Sequence, residues 1–210
     1  MTPQRKASRF LALALSTLIG TSPLLTAIPV AAATPEPPFE IRFPQETQVT
    51  VFASSFGAGR SGGRRHTGND LMAPKMTQVY AAAEGVITVI GTSRLAGRYV
   101  EIAHGHGWTT RYIHLNNDDP GTDNGSADWS LTVVPGLVEG SRVTAGEQIA
   151  WVGDSGNAEW TGSHTHFEIV YEGEEIDPYP YLKEAFAREE RRMLEAIRLV
   201  DQHHERSSVS

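Results

Sequence analysis

The chain has 210 residues, 40% hydrophobic and 20% charged, which suits one folded domain with appendages or two small ones. Its formal charge of −7 at pH 7 argues against a nucleic-acid partner. There is no cysteine, so disulfides and a lipid-modified N-terminal cysteine are excluded, and stability has to come from a core or a bound metal.

Residues 1–33 read as a secretory signal peptide. Arg5, Lys6 and Arg9 precede an uncharged apolar stretch that ends at Ala31-Ala32-Ala33, the small-residue pattern of a cleavage site. The stretch is long enough to span a bilayer. Ser22-Pro23 interrupts it, so cleavage is expected rather than retention as an anchor. The expectation is an exported protein, extracellular, in the cell wall or in the periplasm, with no stable membrane insertion after cleavage. Losing three basic and no acidic residues would take the charge from −7 to −10.

Residues 34–46, with TPEPPFE, read as a proline-rich linker. From Phe39 the chain turns to short runs rich in β-branched and aromatic residues: FEIRF, TQVTVFA, QVYAAA, GVITVIG, RYVEIAH, WTTRYIHL, SLTVV, EQIAWVG and THFEIVY. Their length and close spacing predict a mainly β, antiparallel domain joined by hairpins. A glycine-rich loop, FASSFGAGRSGGRR, leads into His66. Residues 116–136 open with a polar, turn-rich stretch and read as a long loop at the rim of a groove. From Tyr181, apolar Leu182, Phe186, Met193, Ile197 and Val200 follow a helical period, predicting a C-terminal amphipathic helix and tail over 183–210. Packing on the domain is its ordinary use, and binding a protein partner the other.

The histidines carry the chemistry. His66 and Asp70 stand four apart with Gly68 between them, an imidazole and a carboxylate of the kind that binds zinc. In THFEIVY and the residue before it, His164 and His166 stand two apart in a strand, so both rings face the same way. Glu168 continues that face and could orient one of the rings. In WTTRYIHL, alternation puts His114 on one face with Trp108, Thr110 and Tyr112. His104 and His106 have the same spacing as the strand pair. Gly105 and Gly107 flank His106 in what reads as a hairpin turn, so His106 is expected in solvent and His104 at most in a supporting role. His203 and His204 fall near the chain end and are expected to be solvated.

Taken together, HTGNDLMAP, VYAAAEGVITVIG, YVEIAHGHGWTTRYIHL, VEGSRVTAGEQIAWVGDSGNAEWTGSHTHFEI and IDPYPYL follow one another in an order that resembles the zinc metallopeptidases of the lysostaphin type, the M23 or LytM endopeptidases of bacterial cell walls. The resemblance spans 47–182 as the peptidase domain. It implies a LytM-type antiparallel fold of duplicated hybrid-motif character. It implies Zn2+ on His66, Asp70 and His166, with water as the fourth ligand and His114 and His164 as catalytic residues. It further implies peptidoglycan peptides as substrate. Two departures stand out. PKMTQVYA lacks the family's usual glycine-threonine before the strand, and Thr165 stands where leucine is usual. One rival reading is a catalytically silent LytM-type module that regulates another wall hydrolase. The five intact positions weigh against it, and the terminal helix keeps it in view. Another is a biotinyl- or lipoyl-type carrier, suggested by VEGSRVTAGEQIAWVG, but no lysine lies between Lys75 and Lys183 to be modified.

Overall fold

A computed structural model describes residues 34–208, so the expected signal peptide lies outside the described residues. From Glu36 the chain forms one compact unit. Among the described residues no helix is long and apolar enough to cross a membrane.

The strands are β1 (Asn69–Met72), β2 (Gln78–Tyr80), β3 (Gly85–Ser93), β4 (Gly97–Gly105), β5 (Trp108–Leu115), β6 (Arg142–Val143), β7 (Gln148–Trp151), β8 (His164–Tyr171) and β9 (Glu174–Ile176), followed by helix α1 (Tyr179–Ser208). All pairings are antiparallel. The main sheet runs β1-β8-β5-β4-β3-β6, with β9 also on β8, and β2 pairs with β7 in a small second sheet. The fold is therefore mainly antiparallel β with a C-terminal helix.

The runs 85–91, 98–104, 108–115 and 165–171 form strands where their residue types predict them. FEIRF, TQVTVFA and SLTVV do not. Ile41 and Phe43 are buried in the core without strand pairing, so the second half of the segment expected as linker contributes to the domain. Around SLTVV, the Asp128 side chain accepts from the Ser130 N–H at 2.8 Å and closes a short 3-10 turn over Trp129–Leu131. Pairing in TQVTVFA and SLTVV is limited to isolated bridges, Val51 with Met72 and Val133 with Ala150.

One face of the main sheet is the core. Leu71, Val100, Ile102, Tyr112, Phe167 and Ile169 meet Val79, Ile149, Leu182 and Ala185 there. Full burial of an aliphatic or phenyl side chain contributes about 1.5–3 kcal/mol. Tyr112 is fully enclosed. Its hydroxyl accepts from the Ala82 N–H at 2.7 Å and from Thr110 Oγ1 at 3.0 Å, and its ring meets Phe167 edge-on at 5.4 Å.

The 116–136 loop is pinned at its base. Lys75 Nζ reaches Asp118 at 2.7 Å, Asp123 at 2.5 Å and Asp154 at 2.9 Å. Helix α1 starts where Asp177 accepts from the Tyr179 N–H at 2.9 Å, with Pro180 in the first turn, where no N–H is needed. Phe186 packs on Phe43 and Phe52, and Arg42 grips Glu189 through two bonds of 2.8 and 2.9 Å. From Glu190 to Asp201 every residue of the helix is exposed.

Candidate functional site

The polar face of the sheet carries the site. Asp70 on β1 lies directly opposite His166 on β8, and opposed residues of an antiparallel pair share a face. His66 enters from the loop before β1. His66 Nε2, Asp70 Oδ1 and His166 Nδ1 form a triangle with all three edges 2.9 Å. The far side of each ring fixes its tautomer. His66 Nδ1–H donates to the Ser55 carbonyl at 3.0 Å, and His166 Nε2–H donates to Glu168 Oε1 at 3.1 Å. Each ring therefore turns a lone pair towards the carboxylate. Three electron-pair donors this close repel one another unless a cation lies between them. They are near enough for one ion to reach all three, and the residues fit a metal.

Gly68 works through space rather than backbone freedom. A Cβ there would lie 2.3 Å from the Phe167 carbonyl oxygen and 2.8 Å from His166 Nε2. Only glycine lets this stretch press against β8 and bring His66 and Asp70 to His166.

His164 continues the face of His166 as alternation predicts, and its Nε2 lies 3.8 Å from Asp70 Oδ1. His114 does not follow alternation. Arg98 pairs with Leu115 and Val100 with Tyr112, so Tyr99 faces both Ile113 and His114. This is a β-bulge, and His114 sits in it with φ 64°. Tyr112 stays in the core while the consecutive residues Ile113 and His114 both line the site cavity. The expected shared face of His114 with Trp108, Thr110 and Tyr112 is thus corrected by one extra residue in the strand. The His114 ring ends 5.1 Å from His164 and 5.9 Å from His166, centroid to centroid.

The two extra imidazoles are held alike. His114 Nδ1–H donates to the Ser155 carbonyl at 2.8 Å, and His164 Nδ1–H donates to the Gly162 carbonyl at 2.7 Å. Each keeps a free Nε2. Burial first, then the neighbouring His164 and His166, push His114 down to about 4, so it is neutral near pH 7. Ser155, which sequence reasoning missed, supports it. Its hydroxyl accepts from the Arg98 N–H at 2.9 Å and donates to the Leu115 carbonyl at 2.6 Å. The turn-rich GDSGN before β8 was the available signal.

The cavity in front of these groups measures about 670 Å³. Glu168 also accepts from Thr67 and Arg111, and His166, Thr67 and Arg111 bring its carboxyl down to about 2 against the opposing effect of burial. Arg60, Arg64 and Arg65 line the same cavity and were also missed. No residue of 116–136 lines it. His106 is exposed in the β4–β5 turn, and His104 bonds Glu84 and Thr110 away from the cavity.

An antiparallel sheet presenting a candidate metal triad beside two free imidazoles defines a candidate metal-dependent hydrolase domain. The chain is similar to peptidase family M23. Residues 64–125 match that family's sequence profile, a span that holds His66, Asp70 and His114 and ends before β8. Peptidoglycan DD-endopeptidase ShyA of Vibrio cholerae is 31% identical over 112 residues, covering 53% of this chain and 22% of that protein. A zinc-containing peptidase from Vibrio cholerae superposes with a TM-score of 0.53 at 25% identity, over 66% of this chain and 39% of that one. The catalytic domain of the antimicrobial peptidase lysostaphin from Staphylococcus simulans superposes with a TM-score of 0.50 at 25% identity, over 64% of this chain and 92% of that one. The chain spans about a fifth of the length of the curated relatives it matches, 22% for the first of them.

Proposed function

We propose that the domain is an exported zinc metalloendopeptidase that hydrolyses peptide bonds in peptidoglycan stem peptides or cross-bridges. One observation carries this reading. His66, Asp70 and His166 converge beside His114 and His164, whose Nε2 atoms are free. Two nitrogens and one oxygen, with a cavity in front, match a catalytic zinc site rather than a closed structural one. The reading draws further support from a relative that is a peptidoglycan DD-endopeptidase and a structural neighbour that contains zinc.

When bound, zinc would polarise the scissile carbonyl and supply hydroxide near neutral pH. His66, Asp70 and His166 would hold it, with Ser55 and Glu168 fixing the two rings. His114, neutral and with only Nε2 open, suits the role of base that takes the proton from the attacking water. His164 would then stabilise the oxyanion as an imidazolium, donating from Nε2 while its Nδ1–H stays on the Gly162 carbonyl.

The test is incubation of zinc-loaded protein with peptidoglycan, with and without a chelator, and mass analysis of the released fragments. Chelator-sensitive new peptide termini are expected, and their masses name the bond. No release from folded, zinc-loaded protein would favour the catalytically silent module instead.

A further inference from the structure

The glycine-rich stretch before His66 is a hairpin arm. The Gly57 N–H donates to the His66 carbonyl at 2.8 Å, the His66 N–H to Ala58 at 2.9 Å and the Arg60 N–H to Arg64 at 2.9 Å. The tip is a short turn over Ser61–Gly63, with Gly62 and Gly63 at φ 72° and 74°. Residues 57–66 include Arg60, Arg64 and Arg65 and no acidic residue, in a chain whose net charge is −7. All three arginines are exposed, and all three line the cavity in front of the His66–Asp70–His166 triangle.

Their guanidinium groups are not equally engaged. Arg60 Nη2 sits 2.7 Å from Asp70 Oδ2, so it is held against the site. Arg111, which also lines the cavity, is committed to Glu168 and Glu175, each at 3.1 Å, and to Glu101 at 3.3 Å. Arg64 reaches only Ser61, its carbonyl at 3.2 Å and its hydroxyl at 3.5 Å. Among the described residues, Arg65 makes no side-chain hydrogen bond or ion pair. The acids lining the cavity cannot serve these two arginines, since Asp70, Glu101 and Glu168 already have cationic or imidazole partners. Arg65 offers an open guanidinium fork and Arg64 one held only by Ser61 of its own turn, both on one wall of a peptide-sized cavity, and such forks match the planar, two-oxygen geometry of a carboxylate.

We propose that Arg64 and Arg65 form a carboxylate subsite, so that the enzyme selects anionic peptides with a free carboxylate close to the bond being cut. The proposal rests on the peptidase reading and names the substrate chemistry of that same site. Arg60 ties the arm to Asp70 and so sets how far from the reacting centre the carboxylate is held. The remaining negative charge of the chain would otherwise repel such a substrate, and the arm supplies the local attraction.

The experiment uses two synthetic stem-type peptides that differ only in one group, a free carboxylate or its carboxamide. Cleavage by the zinc-loaded full chain is measured for both, and binding of both to zinc-loaded His114→Ala is measured by calorimetry. Wild type is expected to prefer the acid at least about tenfold in kcat/KM, expressed mainly in KM, the size of a charge-assisted hydrogen bond. Arg64→Gln with Arg65→Gln should bring that preference to about twofold or less, and Arg→Lys at both positions should restore part of it. Taking the ratio of the two peptides within each protein removes any loss of folded material. Equal cleavage and equal binding of the two peptides would overturn the subsite and leave the peptidase reading standing. Selective binding of the acid without cleavage of either would overturn the peptidase reading and support the subsite. Failure of both peptides to bind would overturn both.

Discussion

His106 lies just before β5 and His114 near its end, and both have left-handed backbone, with φ 51° and 64°. Their surroundings separate them. His106 and Gly107 are the two central residues of the β4–β5 hairpin, both at positive φ, the primed turn that matches the twist of paired strands. That turn only has to reverse the chain, and the His106 ring is exposed. At His114 the same backbone state belongs to a bulge inside a sheet, where it swings a buried imidazole onto the site face. A conformation that costs an L-residue on the order of 1–2 kcal/mol is in one case a turn that asparagine or glycine could make equally well. In the other it brings this ring beside His164, 5.1 Å between centroids.

The strongest perturbation removes the site that the bulge serves. His166→Ala takes away one of three donors and leaves Glu168 without its imidazole partner. Zinc content measured by mass spectrometry after dialysis should fall to background, and peptidoglycan cleavage should vanish with it. His114→Ala is expected to lower kcat by about 10²–10⁴ while zinc stays bound. Full activity in His114→Ala would mean that the bulge has no catalytic purpose, and the contrast with His106 would collapse.

Gly68→Ala probes the other side of the site. Its Cβ would fall 2.3 Å from a backbone oxygen of β8, which cannot swing aside as a side chain could. We expect a loss of about 1–3 kcal/mol in denaturant unfolding. Zinc affinity should weaken as well, because the strain falls between His66 and Asp70.

These contrasts also show what could be read from the sequence. β8 was legible because its pairing with β1 and β5 is unbroken, so His164, His166 and Glu168 alternate onto one face as period two requires. β5 was legible as a strand, but the facing of His114 was not. A bulge depends on how many residues the partner strand offers, and β4 lies elsewhere in the sequence. Gly68 was visible as a glycine, but its task of leaving room for Phe167 and His166 depends on a strand far along the chain. Ser155 and the arm arginines were missed because their roles come from contacts between distant segments. Ile41 and Phe43 look like strand residues, yet they are buried by packing alone.

The pH response of the metal-free protein should carry the signature of the buried ring. The folded value of His114 is about 4, against an ordinary 6.5, so between those limits the unfolded chain binds the extra proton and the folded one does not. The stability that depends on His114 is therefore complete above about pH 6.5 and falls as the pH drops towards 4, while His166, which burial would lower but Asp70 and Glu168 raise, contributes in the opposite sense. Glu168, held at about 2 against 4.5, adds a second loss only below that upper value. Denaturant midpoints across pH 4 to 7 should show the fall, and His114→Gln should flatten it. A decline of the same size in His114→Gln would assign it to other groups.

The smallest change tests the turn. Asparagine tolerates the left-handed region better than histidine and is favoured before glycine in a two-residue primed hairpin. His106→Asn keeps the Gly107 that follows and removes no side-chain hydrogen bond recorded for His106 among the described residues. It should therefore stabilise the protein by about 0.5 kcal/mol and leave kcat and KM for peptidoglycan peptides unchanged. The same substitution at His114 would keep the backbone equally content and still lose the ring that the bulge exists to present. If His106→Asn lowered kcat while His114→Asn did not, the assignment of turn and site along β5 would have to be reversed.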